Sequence, residues 1–100
     1  MASMPISIPK LTSGSGQNIT IGAASAQNAS AFNAHTTIIC INTNGDCHFE
    51  TGQNPTALAT SPLLKATDGP LLIGIGRGDK IAIIQDGTST GTVNVSEWSY

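Results

Sequence analysis

Few side chains in this sequence could carry out acid–base chemistry near neutral pH. His35 and His48 are the only two histidines, and imidazole is the side chain whose unperturbed pKa lies nearest neutrality. Glu50 shares the predicted strand face of His48, which indicates a solvent-exposed ion pair between the two. No nucleophile can be assembled with His48, because Cys40 and Cys47 are predicted on the opposite face. We therefore expect no catalytic residues and no enzyme activity.

The two cysteines flank Asn44-Gly45, the strongest short signal for a β-hairpin. A two-residue loop there would place Cys40 opposite Phe49. The sulfurs would then share one face but lie diagonally, with backbones about 7–8 Å apart, which exceeds comfortable disulfide reach. We expect two buried thiols rather than a disulfide. A zinc site is disfavoured because His48 must point away from Cys47, so no metal and no cofactor is predicted.

Two overlapping glycine motifs have functional counterparts in other proteins. Residues 74–78 read GIGRG, but a phosphate-binding loop needs a helix N-terminus after it, and a strand is predicted there instead. Residues 77–79 form the tripeptide RGD, which integrins read in adhesion proteins. We interpret both motifs as one tight turn between strands.

The composition argues against several classes of partner. Only ten of the hundred residues are charged, and the formal net charge is −2. The four basic residues form no cluster, so no nucleic acid is expected. No stretch approaches the roughly 20 apolar residues that span a bilayer, so no membrane is expected. Residues 1–6 lack the basic region and apolar run of a secretory signal, which predicts synthesis in the cytoplasm.

Short apolar and β-branched segments alternate with turn signals from residue 36 onward. The predicted strands are 36–41, 47–51, 63–64, 71–75, 80–85 and 92–98, preceded by a possible short strand at 18–21. Residues 23–34 are rich in alanine, which favours a helix, but they lack a 3.6-residue apolar stripe, so we prefer irregular or strand structure. This pattern predicts an all-β fold: a small antiparallel β-sandwich of jelly-roll or Greek-key type.

The first sixteen residues differ from the rest of the chain. Residues 4–9, MPISIP, place apolar positions alternately between prolines, which suits an extended N-terminal arm. Residues 11–16 have the composition of a flexible connector. We predict an arm and connector over residues 1–16 and a β-sandwich domain over 17–100. Because only four aromatic residues are present, the core gains little per residue, and a homo-oligomer is favoured.

Three blocks of the sequence resemble small tailed-bacteriophage virion proteins. They are DCHFETGQNPTA at 46–57, GDKIAIIQ at 78–85 and GTVNVSE at 91–97. The resemblance covers roughly residues 36–98, and the blocks follow the same order and spacing as in that family. The sequence departs from the family pattern at 71–75, where LLIGI replaces a more polar, aromatic strand.

The resemblance is to head decoration (cement) proteins, which bind the outside of a capsid, commonly as trimers at three-fold positions. It implies a structural virion protein that is made in the host bacterial cytoplasm and located on the capsid's outer surface. It implies the major capsid protein as partner, no catalysis and no cofactor.

The arm is the candidate for reaching a neighbour by strand addition, although a merely disordered tail is the alternative. Its candidate capsid or neighbour contacts are Met4, Pro5, Ile6 and Ile8. Trp98 and Tyr100 are the candidate subunit-interface residues. They would equally suit the aromatic platform of a carbohydrate- or receptor-binding module on a phage tail or head fibre, which is the alternative function.

Overall fold

A computed structural model describes residues 8–100, so the candidate contacts Met4, Pro5 and Ile6 lie outside the described residues. Within that range the chain forms nine strands and one short 3₁₀ turn, Ala66–Asp68. The strands are β1 (Lys10–Leu11), β2 (Gln17–Ile21), β3 (Ala26–Gln27), β4 (Ile38–Thr43), β5 (Cys47–Gly52), β6 (Leu63–Leu64), β7 (Leu71–Gly74), β8 (Lys80–Gln85) and β9 (Gly91–Ser99).

The strands form two antiparallel sheets, which confirms the predicted all-β class and is compatible with a small β-sandwich. In the first sheet the order is β1-β9-β4-β7, and β2 also pairs with β9. In the second sheet the order is β3-β8-β5-β6. Every strand pair in both sheets is antiparallel. The described residues contain no helix long and apolar enough to cross a membrane.

The core lies between the sheets and is built from alternate residues of the longest strands. Ile39 and Ile41 of β4, together with Val93 and Val95 of β9, are fully buried from the first sheet. In the second sheet, β8 contributes two fully buried isoleucines at 81 and 83. Each such side chain contributes roughly 1.5–3 kcal/mol to folding by leaving water. Val93 and Val95 face the core, as the period-two pattern of β9 predicted.

The predicted hairpin at Asn44-Gly45 is wrong. β4 pairs with β9 and β7, whereas β5 lies in the other sheet and pairs with β8 and β6. Neither Asn44 nor Gly45 has a positive φ, which a type I′ hairpin turn would require at both positions. Instead the segment crosses from one sheet to the other. A Cβ on Gly45 would collide with the backbone oxygen of Thr90, so this glycine is needed for a close approach of two backbones.

The alanine-rich segment 23–34 contains strand β3 and bends but no helix, which confirms the preference for irregular or strand structure. Buried polar contacts hold it against the second sheet. Asn28 is buried and its backbone amide donates to the carbonyl oxygen of Ile81 at 3.1 Å. The amide of Phe32, whose ring is in the core, donates to the carbonyl oxygen of Asp79 at 2.9 Å.

Candidate functional site: the outer face of the first sheet

The outer face of the first sheet has an apolar end. In β4 the buried residues Ile39 and Ile41 alternate with Ile38 and Cys40, which therefore point away from the core. Cys40 is paired in register with Leu72 of β7, and Ile38 is paired with Trp98 of β9. Leu72 is 51% exposed although it is a large apolar residue. Neighbouring strands thus place Trp98, Ile38, Cys40 and Leu72 side by side on one surface.

A groove of about 410 Å³ runs over this end of the sheet. We call it the apolar groove, and its lining is Ile8, Pro9, Cys40, Pro70, Leu72 and Trp98. The indole nitrogen of Trp98 donates to Ser96 Oγ at 2.8 Å, which satisfies its polar atom within the strand and leaves the ring as apolar surface. Ile8 is 71% exposed at the groove.

The other end of the same face is polar but uncharged. Asn94 of β9 lies in register between Asn18 of β2 and Asn42 of β4. Asn94 Nδ2 donates to Asn18 Oδ1 at 2.9 Å. Beside this asparagine row is a shallow hollow of about 240 Å³, lined by Asn42, Thr43, Asn44, Thr92 and Asn94. The face therefore changes from amides and hydroxyls to apolar side chains along the length of β9.

The outer face of the second sheet is covered by the loop over residues 53–62. Gln27 Nε2 of β3 donates to the carbonyl oxygen of Pro55 at 2.8 Å. The amide of Ala57 donates to Ser25 Oγ at 2.9 Å. Ala82 alternates with the core isoleucines of β8, yet it is fully buried, because this loop lies over it. The two sheets thus differ: within residues 8–100, the chain covers the outer face of the second sheet with a loop and leaves the outer face of the first sheet bare.

His48 lies beneath this loop rather than in an exposed ion pair with Glu50. It is only 8% exposed. Its Nδ1 is 2.8 Å from the carbonyl oxygen of Ser61, and its Nε2 is 3.0 Å from Asp86 Oδ1. Glu50 instead accepts a hydrogen bond from Ser61 Oγ at 3.3 Å. The predicted partner of His48 was therefore wrong: the carboxylate that contacts the ring belongs to Asp86, the residue directly after β8.

The surroundings of His48 favour its protonated form. The Ser61 carbonyl raises the pKa of His48, burial opposes this, and the Asp86 carboxylate raises the pKa further. Both neighbours are acceptors, so only an imidazolium can donate to both at once. With both ring nitrogens engaged in this way, His48 fastens the 53–62 loop to β8. Among the described residues, no group of three or more His, Cys, Asp and Glu could hold a metal ion.

The remaining motif residues have internal partners or lie apart from the bare face. Asp79 of the RGD tripeptide is buried, accepts from the Gly76 amide at 2.8 Å and accepts from Gln53 Nε2 at 3.1 Å. This geometry agrees with the predicted tight turn. His35 is exposed, and its backbone amide donates to Asn33 Oδ1 at 2.9 Å.

The cysteines occupy different environments. Both are free thiols, and Cys47 is fully buried in the core as predicted. Cys40 is only partly buried, which corrects the prediction of two buried thiols: it lies on the outer face of the first sheet, whereas Cys47 is in the second sheet. Burial raises the pKa of both thiols.

The predicted site residues are only partly brought together. Trp98 and Ile8 both line the apolar groove. Tyr100 is 73% exposed and does not line it. Sequence reasoning missed Cys40 and Leu72 as surface residues. The available signal was the alternation of β4 and β7, which places these two side chains opposite the core-facing ones.

Comparison of the chain with protein-family models, with curated proteins and with solved structures found no match.

Proposed function

We propose that this protein is a structural component of a bacteriophage virion, a decoration protein that binds the head as an oligomer and stabilises it. The observation that carries the proposal is the bare outer face of the first sheet, which is uncharged and contains the apolar groove. Exposed apolar patches on small proteins mark interaction surfaces. The centres of such surfaces are depleted in charge and enriched in Trp. These features, and the resemblance of residues 36–98, favour a protein partner.

The strand order supports a jelly roll, which we propose as the full description of the fold. Strands β2, β9, β4 and β7 run in that order in the first sheet, and β3, β8, β5 and β6 run in that order in the second. Eight strands wound as two Greek keys give this arrangement, and viral capsid domains are among the proteins built on it. Lectin domains share it as well, so the strand order by itself does not choose between the two functions.

The protein would stabilise the head through its binding equilibrium with the assembled shell. A protein that binds the assembled shell but not its separated subunits adds its binding free energy to the stability of the shell. An oligomer holds several linked sites, and their avidity multiplies the effect without any new kind of contact. The major capsid protein is the proposed partner, and the outer surface of the virion is the proposed location.

The test is binding of the recombinant protein to phage heads that lack it. We expect saturable co-sedimentation and a higher temperature of head disruption when the protein is bound. Heads that already carry their full complement of the protein are the matched control, and they should bind no more. Absence of binding at micromolar protein concentration overturns the proposal.

The proposed role of the arm is tested by deleting residues 1–7. The groove residue Ile8 and the pairing of β1 with β9 are kept in this deletion, so the fold should be retained. We expect weaker co-sedimentation with heads, because Met4, Pro5 and Ile6 are the proposed neighbour contacts. A circular dichroism spectrum of the deleted protein is the control. Unchanged attachment of the deleted protein contradicts the role of the arm.

A carbohydrate-binding module is the second candidate, and the polar hollow beside the asparagine row favours it. Asn42, Thr92 and Asn94 offer amides and hydroxyls on the same face as Trp98. Asn94 and Trp98 are four positions apart in β9, about 13 Å along an extended strand, which a short oligosaccharide could span. A glycan array is the test: specific binding that is lost in both Asn94→Ala and Trp98→Ala supports this candidate, and a silent array excludes it.

A further inference from the structure

We propose that the outer face of the first sheet, centred on Trp98, is the surface on which a second copy of this chain packs, sheet face against sheet face. This inference rests on the proposed function for its biological meaning, since a decoration oligomer needs a subunit interface. The head would then be contacted by the arm and by surfaces outside this face. Self-association through this face can be measured on the isolated protein.

The distribution of charge points to a partner that is itself uncharged. Strands β2, β4 and β7 contain no Asp, Glu, Lys or Arg. The charged residue of β1, Lys10, alternates with Leu11, which is paired with Trp98, so Lys10 lies on the other side of its strand. The one charged residue of β9, Glu97, points to the opposite side and is buried. A charged partner surface would lose its hydration here without gaining an opposite charge. A second copy of the same face carries no such cost.

The face can also match itself chemically. About a two-fold axis through the groove, the Trp98 and Leu72 side chains of one copy would meet the same apolar region of the other. A two-fold interface uses one patch on both subunits and must be self-complementary in this way. The row formed by Asn18, Asn94 and Asn42 would lie at the rim, where amides can bond to each other or to water.

The dimensions of the face fit a small interface. Strands β2, β9, β4 and β7 span roughly 19 Å at about 4.8 Å per strand, and β9 is about 30 Å long, but the other three strands are shorter. The four strands together cover about 400 Å² in projection, roughly half of the ~800 Å² that each partner contributes to a standard interface, so we expect a weak, concentration-dependent association. Among the described residues, the outer face of the second sheet offers less open strand surface, because the 53–62 loop lies over it. Its exposed apolar side chains are Leu58 of that loop and Leu63 of β6.

Cys40 provides a reporter of contact at this face in the unmodified protein. Its thiol lines the apolar groove, whereas Cys47 is fully buried. A maleimide reagent added to the folded protein therefore reacts at Cys40. If a second copy covers the groove, the rate of labelling falls as the protein concentration rises. The Cys40→Ala variant shows the background from Cys47.

The experiment combines analytical ultracentrifugation with thiol labelling of the full chain from micromolar to sub-millimolar concentration. We expect the wild type to self-associate and its labelling to slow with concentration. Leu72→Asp places a carboxylate in the apolar groove and should raise the dissociation constant by at least about 30-fold. Leu58→Asp is the matched control: Leu58 is 56% exposed, lies in the 53–62 loop, and its substitution should leave association unchanged.

The outcomes separate this inference from the proposed function. A wild type that stays monomeric at the highest concentration overturns the inference. An oligomer that Leu72→Asp leaves intact also overturns it, as does one that Leu58→Asp dissociates as strongly as Leu72→Asp. A monomer that nevertheless binds heads overturns the inference and retains the function. A protein that self-associates through this face but ignores heads retains the inference and overturns the function. Labelling of the wild type tests the surface even if a variant does not fold.

Discussion

Asn28 makes two backbone-like hydrogen bonds to Ile81. Its amide donates to the Ile81 carbonyl oxygen at 3.1 Å, and its side-chain Oδ1 accepts from the Ile81 amide at 2.9 Å. Asn28 is 2% exposed, and its Nδ2 donates to the Ser30 carbonyl oxygen at 2.6 Å. The side chain thereby continues the pairing of β3 with β8 for one more position after the strand has ended.

We predict that Asn28→Ala destabilises the fold by about 1–3 kcal/mol, because it leaves the buried Ile81 amide without an acceptor. The Ser30 carbonyl keeps a donor in this variant, since Gln17 Nε2 also donates to it at 3.0 Å. Asn42→Ala is the control, since Asn42 is exposed on the outer face of the first sheet, and it should change stability by less than about 0.5 kcal/mol. Urea unfolding measures both. Equal midpoints for the two variants contradict this account.

Gly45 should not tolerate a methyl group. A Cβ at this position would meet the Thr90 backbone oxygen, which cannot move without disturbing the start of β9. We predict that Gly45→Ala lowers the free energy of unfolding by about 1–3 kcal/mol, the usual cost of overpacking. Gly22→Ala is the matched control, because a Cβ there has nothing within 4 Å. If the two variants have the same melting temperature, the close approach at Gly45 is not energetically important.

Stability should depend on pH through His48. Because its folded pKa is raised, the imidazolium form stabilises the fold, and that contribution is fully present below the unfolded pKa of about 6.5. It is lost as the pH rises through the higher folded pKa. We therefore predict that the wild type loses more stability than His48→Gln between about pH 6 and pH 8.

The acidic groups around His48 define the control for this pH dependence. Asp86 contacts the ring directly, and Glu50 reaches it through Ser61. Asp86→Asn keeps a polar side chain but removes the charge next to Nε2, so it should reduce the pH dependence without abolishing it. Parallel stability curves for the wild type and His48→Gln across this pH range are the contrary result.

Glu97 should be important for holding the chain between β3 and β4 onto β9. Its Oε1 accepts hydrogen bonds from the Asn33 amide at 2.8 Å and from Thr36 Oγ. Hydrogen bonds to a charged acceptor contribute about 1.5–3 kcal/mol each, so Glu97→Ala should destabilise the fold by at least about 2 kcal/mol.

The Glu97→Gln variant separates the acceptor from the charge. It keeps an oxygen that can receive both bonds and should lose less stability than Glu97→Ala. Chemical unfolding of the two variants side by side is the measurement. A Gln variant as unstable as the Ala variant contradicts a role for the acceptor alone and assigns the effect to the charge.

The sequence alone predicted the elements whose signals are local. Strand β8 has the predicted bounds, 80–85, because turn residues end it on both sides and its isoleucines favour extended backbone. The alternation in β9 predicted which side chains face the core. The class of two antiparallel sheets followed from many short strands. These features depend on backbone sterics and on the period of two, both of which act between neighbouring residues.

Local sequence signals did not predict which strands pair with each other. Asn44-Gly45 has strong turn chemistry, yet β4 pairs with β9, about fifty residues further along the chain, and β5 pairs with β8 in the other sheet. The prediction of the neighbours of His48 failed for the same reason, since Asp86 and Ser61 contact it from distant segments of the chain. Pairing between remote strands is decided by the packing of the whole core, which no short window contains.

The candidate site, too, was predictable from the sequence only in part. The sequence determined that Cys40 and Leu72 lie opposite the core side of their strands, because side chains alternate along any extended backbone. Only the tertiary structure decided that residues 8–100 leave this face bare while a loop covers the equivalent face of the second sheet. The physical reason is that alternation fixes the direction of a side chain, whereas exposure depends on which distant segment lies over it, here a loop that reaches β3 and leaves the first sheet open.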